Sequence, residues 1–142
     1  MIVVDTNVFV TALRSRVGVS RKLVREIFGR HIEIGASPAL FLEYEAVLSR
    51  ADQRTAFGLS LTEVRSFLDV LALVTTPIAL NFLWRPQLQD PADEMVLEAA
   101  VNGMVSDLVT WNVRDFKPAA NRFGLRVSSP DVYWATLSKE SR

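Results

Sequence analysis

Four short apolar runs, separated by stretches of helical periodicity, constrain this chain more than any other feature. Ile2-Val3-Val4 is short and β-branched, as in a strand buried on both faces. Similar runs occur at Ile32-Glu33-Ile34-Gly35-Ala36, at Asp107-Leu108-Val109-Thr110 and, more weakly, at Leu125-Arg126-Val127. A helix from Asn7 to Leu13 is expected directly after the first run. Ser20 to Phe28 places Leu23, Val24, Ile27 and Phe28 at helical spacing and stops at Gly29. Ser37-Pro38 reads as N-cap and first turn of a helix holding Leu40, Phe41, Tyr44, Val47 and Leu48. Ser60-Leu61-Thr62-Glu63 is a capping box opening a helix to about Val74. Asp90-Pro91 opens another, ending at Gly103, and Ser129-Pro130 opens the last. Strands alternating with helices predict an α/β sandwich around a central, mainly parallel sheet of four to five strands. With 142 residues and no linker, repeat or low-complexity tract, a single domain over residues 1–142 is expected.

Composition then restricts the chemistry. Cysteine is absent and histidine occurs once, at His31. Disulfides, thiol nucleophiles, cysteine zinc sites and iron–sulfur clusters are excluded, and so is a three-histidine metal site. Lys plus Arg and Asp plus Glu number 16 each, which argues against a broad basic surface but leaves room for a local basic groove. Asp5 interrupts the first apolar run before it reaches the roughly 7–15 residues of a secretory signal. The stretch from Phe67 to Val74 contains Asp69 and is far too short to span a bilayer. A cytoplasmic protein with no membrane segment is expected.

Parallel sheets collect ligand-binding groups at the carboxyl ends of their strands. The first strand ends in Asp5-Thr6-Asn7, and the third in Thr110-Trp111-Asn112-Val113-Arg114-Asp115. Asp5 suits a helix N-cap and a functional role equally. Asp93 shares the direction of Val96, Leu97, Ala100, Val101 and Met104, so its carboxylate points inward at a helix start. Asp90 is explained by capping, and Glu94 is expected to be solvated at the edge of the apolar stripe. Glu43 and Glu45 flank the apolar face of their helix on opposite sides, with a weak preference for Glu43. His31 reads as a surface or helix-terminal residue with no acidic or His partner at ligand spacing. Trp84 and Trp134 read as core or edge fillers, and Trp111, at a strand end, as a stacking platform for a base. Carboxylates converging without His or Cys repel one another unless a hard cation joins them. Mg2+ or Mn2+ does so through oxygen ligands and characteristically acts on phosphates.

Val3-Val4-Asp5-Thr6-Asn7-Val8, Ser37 to Arg50, Asp90-Pro91-Ala92-Asp93-Glu94 and Leu108 to Phe116 together resemble a PIN domain, of the VapC-like kind found as toxins of prokaryotic toxin–antitoxin modules. The resemblance implies a PIN-like α/β/α sandwich and a metal-dependent ribonuclease. Asp5, Glu43 and Asp93 match the family's acidic positions. Asn112 stands where many members carry a fourth acid, and Asp115 matches a second acidic position three residues on. Catalysis by Asp5, Glu43, Asp93 and Asp115, with Mg2+ or Mn2+ on Asp5, Asp93, Asn112 and Asp115, is what the resemblance implies. Thr6 and Thr110 either orient ligands there or only make strand-end hydrogen bonds. Arg14, Arg16 and Arg114 are candidates for RNA phosphate contact, beside Trp111. A cognate antitoxin and a homodimer are the implied protein partners, with the apolar face of Leu61 to Val74 as one surface for them. Two other readings stand beside this one. A phosphatase using Asp5 as nucleophile is disfavoured by Asn7, where a second Asp is needed. A degenerate domain that binds RNA or a protein without cutting is kept open by Asn112. The balanced charge is expected to divide into an acidic pocket and a basic rim.

Overall fold

The structure, a computed structural model, describes residues 1–82 and 87–140. Trp84 lies outside the described residues. Five strands form one all-parallel sheet: β1 (Ile2–Val4), β2 (Ile34–Ala36), β3 (Thr75–Pro77), β4 (Asp107–Val109) and β5 (Arg126–Ser128). Their spatial order is β3-β2-β1-β4-β5. The chain winds one way from β1 to β3 and the other way from β4 to β5, so the topology switches between β1 and β4. Ligand crevices form at such switch points, beyond the carboxyl ends of the strands.

Eight described helices join and cover the strands: α1 (Thr6–Arg14), α2 (Val19–Phe28), α3 (Pro38–Leu48), α4 (Ala51–Phe57), α5 (Leu61–Val74), α6 (Pro91–Asn102), α7 (Val113–Arg122) and α8 (Pro130–Glu140). β1, β2 and β4 are buried at every position; β1 and β2 are free of charged residues, and in β4 the buried Asp107 is paired with Arg126. On the α1–α3 side of the core, Phe9 meets Tyr44 edge to face with ring centroids 4.9 Å apart. The Tyr44 hydroxyl donates to the Val4 carbonyl and so ties α3 to the end of β1.

The expected caps of α3, α5 and α6 are present. Ser37 Oγ accepts from the Leu40 amide, Ser60 and Glu63 form the reciprocal capping box, and the Asp90 carboxylate accepts from the Ala92 amide. Ser37→Ala is expected to cost about 1 kcal/mol, read as a loss of about 3 °C in the thermal midpoint. An unchanged midpoint contradicts that role.

Several local expectations need correction. α4 and β3 carry too little pattern to be read from the sequence, and α7, whose buried Phe116, Ala119 and Ala120 recur at helical spacing, is disguised by Pro118 in its interior. α2 ends at Phe28 with Gly29 as its C-cap, as expected. Gly29 stays near the helical conformation and Arg30 takes φ +63°. α6 ends the same way, with φ +49° at Met104, which is 91% exposed and does not continue the apolar stripe. A Cβ at Gly103 would meet Ile78 Cδ1 at 2.6 Å and the Ala99 carbonyl oxygen at 3.0 Å, so a larger residue there requires Ile78 to shift. His31 is exposed, as expected, but has an acidic partner: Nδ1 lies 2.9 Å from Glu26 Oε2.

Candidate active site

The β1 and β4 ladder runs past the strand ends. The Asp5 amide donates to the Val109 carbonyl, and the Thr110 amide to the Ser128 carbonyl. Asp5 and Thr110 therefore sit side by side at the switch point, with backbones fixed by the sheet. Asp5 occupies the N-cap position of α1, but its side chain makes no capping hydrogen bond. It accepts instead from Thr110 Oγ1 at 2.7 Å. A hydroxyl has one proton and two lone pairs. With the proton given to Asp5, Thr110 Oγ1 accepts from the Asn112 amide at 2.9 Å and, more weakly, from Asn7 Nδ2 at 3.5 Å. Asn7 Oδ1 accepts from the Trp111 amide at 3.3 Å. The turns after β1 and β4 are thus knitted together around Asp5. Thr6 is buried beside it.

Asp5 is 7% exposed. Burial pushes its carboxyl above the usual range; the Thr110 hydroxyl and the amides of Thr6 and Asn7 oppose this, and the charge of Asp90 adds to it. Asp93, in the first turn of α6, is pushed up to about 6, first by burial and then by the charges of Asp5, Asp90 and Asp115. Four aspartates from three separate elements therefore share one electrostatic environment. Asp90, Asp93 and Asp115 line a cavity of about 450 Å3 with Gln87, Pro118 and Arg122. Burial, and secondarily Asp5, also raises the Tyr44 hydroxyl well above its usual value, so it remains a neutral donor to Val4.

A family model for the PIN domain matches residues 1–114. The chain belongs to the PIN domain family. PIN domains are generally nucleases, and those nucleases generally use divalent metals such as Mg2+. No curated protein and no solved structure matches the chain.

In this PIN domain the other expected residues fall as follows. Glu43 is half-buried on α3, Glu45 is exposed, and Glu43 is not among the charges acting on Asp5 or Asp93. Asp115 is exposed in the first turn of α7, and Asn112 is the exposed N-cap of that helix with no side-chain capping bond. Trp111 is 39% exposed, and its indole Nε1 donates to Ser20 Oγ at 3.0 Å. Arg14 donates to Gln53 Oε1, whereas Arg16 borders a separate cavity of about 630 Å3, which none of the four aspartates lines. Arg114 is exposed on α7.

Two expectations about acids change. Asp90 caps α6 and also acts electrostatically on Asp5 and Asp93. Glu94 is not solvated: it is 4% exposed and accepts from the amides of both Gln87 and Leu88, and its Oε2 has no partner among the described residues. Those two amides belong to the loop that leads into Asp90. Glu94 had no sequence signal, because its partner is an irregular segment with no periodicity. Arg122 was likewise not anticipated in the acidic cavity.

The donor set suits a hard divalent cation. It consists of oxygen groups whose mutual repulsion raises the proton affinity of Asp93, and the same field favours a cation. Among the described residues, no three Asp, Glu or His side chains close to the spacing at which they would share one ion.

Proposed function

We propose that this PIN domain is a metal-dependent endoribonuclease, the VapC-like toxin of a prokaryotic toxin–antitoxin pair. Support comes chiefly from the convergence of Asp5, Asp93 and Asp115, with Asp90, on one electrostatic environment at the switch point. Asp5, Asp93 and Asp115 would hold Mg2+ or Mn2+, with the Asn112 carbonyl oxygen as a neutral ligand. Such an ion, when bound, activates a water and neutralises charge building on the phosphoryl oxygens.

The remaining roles belong to the chain itself. Thr110 holds the Asp5 carboxylate in one orientation through its hydroxyl, and the sheet holds both backbones. Burial of Asp5 and partial burial of Asp93 keep bulk water from screening their charge. Asp115, exposed and in the cavity lining, is open to incoming substrate. Glu43 on α3 is proposed as a further catalytic acid by its place in the family motif, and Thr6 as a support for Asp5.

An antitoxin and a second copy of the chain are the proposed protein partners, and α5 leaves Val70 and Leu73 exposed for one of them. No described helix is long and apolar enough to cross a membrane. A cytoplasmic location and a single domain over residues 1–142 belong to the same proposal.

Purified protein incubated with labelled RNA is expected to cut it with Mn2+ or Mg2+ and not with EDTA. Metal-independent cutting, or cutting unchanged in both Asp5→Asn and Asp93→Asn, contradicts the mechanism. A second reading, a PIN domain that binds without cutting, draws on Asn112 and on the open spacing of the acids. RNA or partner binding without cleavage of any RNA tested supports it.

A further inference from the structure

The acidic cavity does not end at the aspartates. A second, shallower cavity lined by Val113, Arg114, Lys117, Pro118 and Asn121 shares Pro118 with it. Both lie along α7, which was not expected as a helix. Asp115, Ala119 and Arg122 recur on one face of α7 at helical spacing, and Asp115 and Arg122 are separated by about 10 Å along its axis. Arg114, Lys117 and Asn121 form the neighbouring face, at i, i+3 and i+7. Arg114, Lys117 and Arg122 are all exposed. Arg122 donates a long hydrogen bond, 3.4 Å, to the Gln87 carbonyl, and among the described residues no carboxylate forms an ion pair with it. Cations thus flank the acids on both sides of the Pro118 ridge.

We infer that α7 is the rail along which single-stranded RNA enters the acidic cavity, with Arg114 and Lys117 holding phosphates on one side of the cut bond and Arg122 a phosphate on the other. The inference rests on the ribonuclease reading for the identity of the strand and adds its path. Charge complementarity selects the occupant: a row of cations at helical spacing beside a recess matches a polyanionic backbone. The recess selects a single strand, because Asp93 lies half-buried in its lining and a flexible strand reaches such a carboxylate more readily than a duplex. Trp111, just before the start of α7, has its indole N–H bound to Ser20 and remains partly open for a base to stack on.

The test is binding of a fluorescent single-stranded RNA oligonucleotide in EDTA, across a salt series, with no cleavage required. Each phosphate contact contributes about 0.7 to the slope of log affinity against log salt for single strands. Arg114→Ala with Lys117→Ala is expected to lower the slope by about 1.4 and to weaken binding about 10- to 30-fold at 0.1 M salt. Arg122→Ala is expected to lower it by about half as much. Arg65→Ala with Lys139→Ala, on α5 and α8, is the control and should leave binding unchanged. Asp93→Asn should retain binding or tighten it. A matched duplex should bind more weakly than the single strand. No RNA binding by the intact protein, equal loss in the α5/α8 control, an unchanged slope in the α7 variants, or equal affinity for the duplex overturns the inference. If the protein never cuts RNA but the α7 variants lose binding as described, the nuclease reading fails and the rail stands.

Discussion

Asp93→Asn is expected to abolish RNA cleavage, by about 100-fold or more, and at the same time to make the metal-free protein more stable. The two effects have one cause. Burial and the charges of Asp5, Asp90 and Asp115 raise the Asp93 carboxyl from 3.8 to about 6. The folded state then holds a proton that the unfolded chain has already released. Stability therefore falls as pH rises from about 4 to about 6 and stays low above it. Fully transmitted, the shift corresponds to about 3 kcal/mol. Asp93 is only partly buried, and solvent screening reduces this to about 1–2 kcal/mol. Asparagine removes the charge and keeps the shape, so the thermal midpoint in EDTA at pH 7.5 should rise by about 3–6 °C. The difference should shrink at pH 5, where the wild-type carboxyl is mostly protonated. A divalent ion should stabilise the wild type more than the variant. A variant less stable than wild type at pH 7.5 would mean that the α6 dipole favours the Asp93 charge by more than its neighbours oppose it.

Glu94→Ala is expected to cost about 2–4 kcal/mol, because it strips the acceptor from two backbone amides at once. Glu94 Oε1 accepts from Gln87 and Leu88, and this pair fixes the loop that precedes Asp90. Gln87 and Leu88 also line the acidic cavity, so the substitution loosens one wall of the proposed site. Glu94→Gln keeps an acceptor oxygen and should cost less than half as much. Hydrogen exchange at the Gln87 and Leu88 amides separates loop anchoring from general destabilisation. In Glu94→Ala those two amides should exchange faster than amides of β1 and β4 change. Uniform acceleration across the sheet contradicts the anchoring role.

How far the sequence carried this account depends on where each group's partners lie. β1, β2 and β4 were legible because a strand buried on both faces is mostly apolar, and the caps of α3, α5 and α6 because capping is local. β3 was not, since Thr75-Thr76-Pro77 is a half-exposed edge strand with no apolar run. α7 was not, since Pro118 masks a helix held by burial of Phe116, Ala119 and Ala120. Asp5 and Asp93 were legible from the strand end and the helix stripe, yet the Thr110 hydroxyl that orients Asp5 lies 105 residues away in sequence. Glu94 was read in the wrong environment because helical periodicity reports on the helix and not on the loop folded over it.

In the proposed mechanism, carboxylates at the β1–β4 switch point direct a metal-activated water at an RNA phosphate. The chemistry of the cut ends tests it most directly. Cleavage in Mn2+ of an RNA carrying a single 2′-deoxy sugar on the 5′ side of the cut bond should proceed as for the unmodified RNA and leave one hydroxyl end and one phosphate monoester end. Cleavage blocked by that single sugar, or a 2′,3′-cyclic phosphate product formed in EDTA, would place the nucleophile on the RNA and contradict the account.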